Sequence, residues 1–289
     1  MVRTSTDDRT WSGWLPRASA GTVVLDGPDG ARRVRVQGRD SQGTHGPVFS
    51  DTITLDSTAP IVRAPRISLR SGSVNRGSLP IPVRLSWSLA DTGPSIASAD
   101  LSADCDGTSL IGASAAKLGA VQGRSVKGSS VHWLASGTRC VSSATVVDAA
   151  GNETSTGDVA VTVRGIQEAP TGVLTYSSGW HTSRNPFAYG GTVHSTDALG
   201  RWVRLRFTGT EIALVSNKAH DRGRVRVLID GVQVAIVELR SSTSSSLRIV
   251  FHQRLRPGKH TIEVRTMGSK HQPGKGAQVD IDGFLVIGP

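Results

Sequence analysis

Very little in this sequence can build a helix. Across 289 residues, Met occurs twice, and no window carries four successive apolar residues at helical spacing. These absences argue against a helix bundle or a helix-layered α/β fold. No run of 18 apolar residues exists, so no segment has the length of a membrane-spanning helix. The opening Met1-Val2-Arg3-Thr4-Ser5 lacks the apolar stretch of an export signal. Catalytic signatures are missing as well. There is no G-x-S-x-G, H-E-x-x-H, G-x-x-x-x-G-K-[ST] or G-x-G-x-x-G. The eight histidines are scattered. His181, His194, Asp197 and the Ser241–Ser246 run are too loosely spaced for a nucleophilic triad. No carboxylate pair sits among aromatics as glycoside cleavage requires. The chain reads as a non-enzyme with no cofactor.

What is present is strand and turn material. Gly numbers 33. Val and Thr dominate between the turns, and both suit a pleated, half-buried surface. The fold class is therefore all-β. Two segments share one punctuation: a strand of alternating residues, an Asp-x-x-Gly turn, a short polar loop and a second alternating strand. In the first, Val34 to Arg39 leads to Asp40-Ser41-Gln42-Gly43 and then Asp51 to Asp56. In the second, Ala144 to Val147 leads to Asp148-Ala149-Ala150-Gly151-Asn152 and then Asp158 to Val163. An Asp side chain bonds the main chain two residues on, and Gly takes positive φ. The two Asp lie 108 residues apart, a plausible sandwich repeat. Asp56-Ser57-Thr58-Ala59-Pro60 and Gly165-Ile166-Gln167-Glu168-Ala169-Pro170 read as linkers. Between them Val83, Leu85, Trp87 and Leu89 share one strand face, which places Trp87 in a core.

The organisation predicted is 1–59 as a partial Ig-like sandwich, 60–165 as an Ig-like sandwich and 170–289 as a third module. The first stretch is too short for a whole sandwich, so the chain is expected to be a fragment. In the third module, Val203, Leu205 and Phe207 alternate with Arg204 and Arg206. Val225, Val227 and Ile229 alternate with Arg224 and Arg226. Asp230-Gly231 between apolar runs is a strong hairpin signal.

The stretches Thr54-Leu55-Asp56-Ser57-Thr58-Ala59-Pro60 and Val147-Asp148-Ala149-Ala150-Gly151-Asn152 resemble the strand-ending turns of bacterial Ig-like and fibronectin-like repeats. That resemblance implies tandem Ig-like β-sandwiches acting as spacers or adhesive modules. Residues 170–289 resemble galactose-binding-like jelly-roll modules of secreted bacterial proteins. The matching stretches include Tyr176-Ser177-Ser178-Gly179-Trp180, Tyr189-Gly190-Gly191-Thr192, Phe207-Thr208-Gly209-Thr210-Glu211-Ile212, Pro257-Gly258-Lys259-His260-Thr261-Ile262 and Val279-Asp280-Ile281-Asp282-Gly283-Phe284. This implies a jelly-roll β-sandwich, a secreted or cell-surface location and, for many relatives, carbohydrate binding.

In an exported protein the lone pair Cys105 and Cys140 reads as a disulfide, with two buried thiols as the alternative. Closing a loop of this length stabilises by about 3–4 kcal/mol. A sugar site needs a flat ring and polar neighbours. The candidates are Trp180, Tyr189, Tyr176, His194 and Asn217, with Trp202, His181 and Arg184 nearby; the alternative is that these rings are core. Asp280 and Asp282 alternate on the last strands, but calcium needs six to eight oxygens. With no further acid near them in sequence, no metal site is predicted.

Arg and Lys exceed Asp and Glu by 33 to 23. The excess lies beyond residue 165, where 16 basic residues face 9 acidic ones. If their strands adjoin, Arg204, Arg206, Arg224, Arg226 and Arg248 form a basic sheet face. Such a face would hold polysaccharide or anionic cell-wall polymer; protection of strand edges is the alternative. Nucleic acid is not expected, because no stacking aromatics interleave with the arginines. The chain is expected to be monomeric. Two other functional readings stay open: a spacer array without a small ligand, and an accessory part of a secreted hydrolase.

Overall fold

The computed structural model describes residues 1–18, 20–73, 80–93, 95–111, 117–118, 121–122, 125–169, 172–268 and 277–289. The protein is all-β: among the described residues the only helical element is a 3₁₀ turn at Tyr189–Gly191. None of these residues forms a helix long and apolar enough to cross a membrane.

The N-terminal part is one antiparallel sheet of Val2–Ser5, Gly30–Arg39 and His45–Leu55. Its turn follows the predicted chemistry. Asp40 Oδ1 accepts the N–H groups of Gln42 and Thr44 at 2.9 and 2.8 Å, and Gly43 takes φ +88°. Arg3 lies over the rings of Trp11 and Trp14, and Arg39 also covers Trp14. Phe49 and Ile53 stay exposed.

The second module is a sandwich. Ile61–Leu69, Ile81–Ala90 and Ser125–Leu134 form one layer. Ser95–Cys105, Arg139–Asp148 and Val159–Gln167 form the other. Period-two patterning drives the packing: Val83, Leu85 and Leu89 are buried against Ile96, Leu101 and Val146. Trp87 is half-buried, packed on the margin of this core. Its ring lies over Gly128, where any Cβ would fall 2.2 Å from Cζ2. Cys105 and Cys140 stand opposite each other on neighbouring strands and form the disulfide. At the far end Asp148 repeats the Asp40 turn, accepting from Ala150 and Asn152 at 2.8 and 2.9 Å.

Two long strands, Trp202–Lys218 and Ser245–Gly268, dominate the third module. Their ladder shifts register between Gly209 and Glu211. Beyond that point Trp202–Lys218 also pairs with the last strand, Gly283–Gly288. The hairpin predicted at Asp230-Gly231 is present, with both residues at positive φ and Ile229 opposite Val232.

Of the stretch expected as a linker, Gly165–Pro170, the first three residues are strand, and Pro170 lies outside the described residues. Val159–Gln167 pairs with Arg139–Asp148 over its first half and with Gly283–Gly288 over its second. Gly165, Ile166 and Gln167 stand opposite Leu285, Phe284 and Gly283. One sheet therefore runs through both modules. Alternate residues of the seam serve two cores. Ile212, Leu214, Phe284 and Val286 face the third module, whereas Ala213, Val215, Leu285 and Ile287 join the core of the second. Burial on both faces explains the unbroken apolar run Phe284-Leu285-Val286-Ile287.

A buried charge pins this contact. Glu211 is fully buried, yet it pairs with Arg66 at 2.7 Å and with His252 at 3.1 Å and accepts the Leu69 N–H at 2.8 Å. Arg66 and Leu69 belong to the second module, so the partners of this carboxylate straddle the seam.

Candidate functional site

The aromatic residues proposed for sugar stacking are drawn together, but into packing. Tyr176 stacks on His194 with centroids 4.5 Å apart and meets Trp180 edge-on at 5.2 Å. Its hydroxyl donates to the Glu168 carbonyl at 2.7 Å. Burial, reinforced by the Glu168 charge, pushes the phenol well above its ordinary range. Tyr189 is buried against Gly165 and closes the seam. His194 is buried too, and desolvation lowers its pKa against the opposing pull of Glu168. Asn217, also buried, donates to Asp280 at 3.1 Å. Trp180 and Trp202 remain half-buried, while His181 and Arg184 are exposed. Of the rings expected to stack on a sugar, those of Tyr189 and His194 are thus largely buried.

Beneath this cluster lie three buried carboxylates, of Glu168, Asp280 and Asp282. Glu168 comes from the chain just after the seam, so proximity in sequence did not flag it. Asp280 is neutralised by Arg222 at 2.7 Å. Asp282 accepts the Tyr189 N–H at 2.6 Å. Burial still pushes its pKa up to about 7, with the charges of Glu168 and Asp280 adding to the effect.

The arginine face forms only in part. Trp202–Lys218 and Arg224–Ile229 are not neighbours; Ser245–Gly268 lies between them. Arg204 and Arg226 do share the outer face, but the intervening strand sets Glu263 opposite Arg204 and Arg265 opposite Arg226. Glu263 binds Arg204 at 2.5 Å and also pairs with Arg265. Burial works against its charge, yet the two guanidinium groups prevail and hold its pKa below the ordinary value. Arg248 lies in the other half of its strand, opposite Ser216 and Ser73. The expected basic sheet face is thus a mixed-charge face. Arg224 flanks it, opposite Glu238.

The cations converge elsewhere. A groove of about 530 Å³ opens at one end of the third module. Its apolar wall is Ile166, Val173, Phe207 and Val286, and its cationic groups are Arg164, Arg206 and Lys259. Three strands supply them: Arg164 from Val159–Gln167, Arg206 from Trp202–Lys218 and Lys259 from Ser245–Gly268. Among the described residues neither Arg206 nor Lys259 forms an ion pair with a carboxylate, and all three cations are exposed.

His260 completes the groove. Its Nδ1 meets Asp230 Oδ2 at 2.7 Å and its Nε2 meets the Arg256 carbonyl at 2.8 Å. Both nitrogens face acceptors, so the protonated ring satisfies both. The Asp230 hydrogen bond, ahead of the opposing desolvation, raises the His260 pKa. At Asp230, burial favours the neutral acid, but the bonds from His260 and the Thr261 N–H outweigh it and lower the pKa. The signal available in sequence was the Asp230-Gly231 turn and the Pro257–His260 stretch; their meeting is tertiary.

No Ser–His–carboxylate chain occurs among the described residues. Ser130 Oγ lies 2.6 Å from His132 Nε2, but no carboxylate among the described residues forms an ion pair with His132.

No family model matches the chain, and no curated protein does. Solved structures do overlap with part of it. A family two carbohydrate esterase from Clostridium thermocellum, an active-site mutant, is 21% identical; the match covers 38% of this chain and 30% of that one, at a TM-score of 0.29. A family two carbohydrate esterase from Cellvibrio japonicus is 11% identical over 45% and 34%, at 0.34. The CBM36-1 domain of a multidomain xylanase from the hindgut metagenome of Trinervitermes trinervoides is 18% identical over 45% and 97%, at 0.29. The chain spans about a third of the length of the esterases it matches.

Proposed function

We propose that the protein is a non-catalytic, extracellular modular protein whose third module holds an acidic polysaccharide or another anionic cell-wall polymer in the groove of Arg164, Arg206, Lys259 and His260. One observation carries this reading: cations from three strands converge beside an apolar wall, and among the described residues neither Arg206 nor Lys259 pairs with a carboxylate, Asp230 in the same groove being engaged by His260. Exposed cations attract polyanions over about a Debye length, and an apolar wall beside them gives a sugar ring somewhere to lie. The Cys105–Cys140 disulfide supports an oxidising compartment.

Affinity electrophoresis tests the reading. Polygalacturonate in the gel should retard the protein, added salt should weaken retardation, and dextran should have no effect. The double variant Arg206→Ala/Lys259→Ala should migrate as if no polymer were present. Unchanged retardation of the variant would refute the groove.

A spacer array is the second reading. Burial of Tyr189, His194 and Asn217 and the two-module seam favour it. It predicts no retardation of the unmodified protein by any polymer.

A further inference from the structure

We propose that Asp56, Asp91 and Asp148 form a calcium site at the joint between the first and second modules. Their carboxylates come from three separate segments: just after His45–Leu55, just after Ile81–Ala90 and at the end of Arg139–Asp148. One carboxylate oxygen from each lies within 4.8 Å of the others. Among the described residues no Lys, Arg or His forms an ion pair with any of them.

Asp91 is the strongest indication. It is only 5% exposed, and among the described residues neither of its carboxylate oxygens has a hydrogen-bond partner. Asp56 Oδ2 is likewise buried and unpartnered. A buried carboxylate that nothing satisfies is costly, and a second and third beside it add repulsion. A cation removes both costs at once.

The neighbouring groups hold the cluster together. The carboxamide of Asn152 donates to Asp148 Oδ2 at 2.8 Å and to the main-chain oxygen of Asp56 at 3.1 Å. Thr154 Oγ1 donates across the same joint to the Pro60 carbonyl at 2.6 Å. Turn chemistry alone does not explain this arrangement, because Asp40 makes the same two turn bonds as Asp148, yet among the described residues it belongs to no such acidic group. At Gly93 a Cβ would fall 1.9 Å from Asp56 Oδ2, so only glycine leaves that carboxylate its place.

The donor set selects the ion. All donors are carboxylate oxygens, with no thiolate or imidazole, which favours a hard cation over zinc or copper. Calcium tolerates irregular ligation and completes its six to eight oxygens with carbonyls and water. A cleft of about 360 Å³ beside Asp56 and Gly93, also bordered by Asp29, offers a way in. Bound there, the ion ties the end of the first module's last strand to two loops of the second. This site is independent of the groove and its ligand.

Equilibrium dialysis against ⁴⁵CaCl₂ and thermal melting of the full chain test the proposal. At roughly 1–5 mM CaCl₂, above the range typical of extracellular calcium modules, the unmodified protein should retain calcium and melt several degrees higher than in EDTA. Magnesium at equal concentration should give a smaller shift. Asp91→Asn should lose at least about tenfold in affinity, a change of about 1.4 kcal/mol. In EDTA it should melt no lower than the parent, because the substitution relieves repulsion. Should Asp91→Asn fail to fold, Asp56→Asn, at the more accessible ligand, gives the same comparison. Absence of calcium retention by the unmodified protein, or undiminished retention by the folded variant, would overturn the site.

Discussion

The carboxylate of Glu211 accepts the main-chain N–H of Leu69 at 2.8 Å, across 142 residues of sequence and from one module into the next. Both residues are buried. The acceptor therefore satisfies a main-chain donor that water cannot reach, while Arg66 balances its charge at 2.7 Å. Glu211→Ala should destabilise the second and third modules together by about 2–4 kcal/mol. Glu211→Gln, which keeps an acceptor, should cost less. Urea unfolding followed by tryptophan fluorescence and by far-UV circular dichroism measures both. Separate transitions for the two modules in the parent protein would contradict the shared seam.

Gly283 tests the seam from the other side. A Cβ there would sit 2.5 Å from the main-chain oxygen of Ile166, and that oxygen belongs to the strand bridging the modules. Gly283→Ala must push the two strands apart, at a cost of about 1–3 kcal/mol. Hydrogen exchange at Ile166 and Leu285 should speed up more than exchange at the remote Leu85.

Asp282 ties stability to pH. Its folded pKa, pushed up to about 7, exceeds its ordinary value of 3.8. Below about pH 4 the group is protonated in both states. Between pH 4 and 7 the unfolded chain ionises first, so this group's contribution to stability falls as pH rises and levels off above 7. Asp282→Asn should leave stability at pH 4 unchanged and raise it at pH 8 by a few kcal/mol, at about 1.4 kcal/mol per pH unit. Chemical denaturation at the two pH values gives the difference directly.

Polymer binding should follow His260. Its raised pKa keeps the ring cationic to higher pH than an ordinary histidine, and affinity for polygalacturonate should fall as pH climbs through that titration. His260→Gln should flatten the profile while leaving the Arg206 and Lys259 contribution. A flat profile in the parent protein would remove His260 from the groove.

The disulfide is expected to contribute about 3–4 kcal/mol, since it closes a 35-residue separation. Replacing Cys105 and Cys140 together with Ala should lower the urea midpoint without changing the fold.

Local signals were read from sequence more successfully than convergent ones. Asp40, Asp148 and Asp230-Gly231 announced their turns because the required chemistry lies within five residues. Val83, Leu85 and Leu89 announced a core face by alternating. The seam was hidden because Phe284 to Ile287 is buried on both sides, and a continuous apolar run does not say which partners it meets. Gly165 to Gln167 looked like a linker since glycine and a following proline are turn signals; Tyr189 lying against Gly165 gives the glycine another reason. Arg204 and Arg226 do lie on one outer face, but the strand carrying Glu263 comes between theirs from a distant part of the chain. Asp56, Asp91 and Asp148 are not legible as a group because only folding brings three isolated acids together, whereas Asp280 and Asp282, the pair weighed for calcium, stand two residues apart.

The strand Val159–Gln167 spends half its length in each of two sandwiches, so the natural unit of exchange here is larger than one sandwich. A recombination break between residues 167 and 170 would leave the third module with six orphaned main-chain positions along Gly283–Gly288 and an oily flank of Ala213, Val215, Leu285 and Ile287 facing water. Such a piece would stick to its copies edge to edge. Transplanting this module intact into another protein requires carrying its neighbour along.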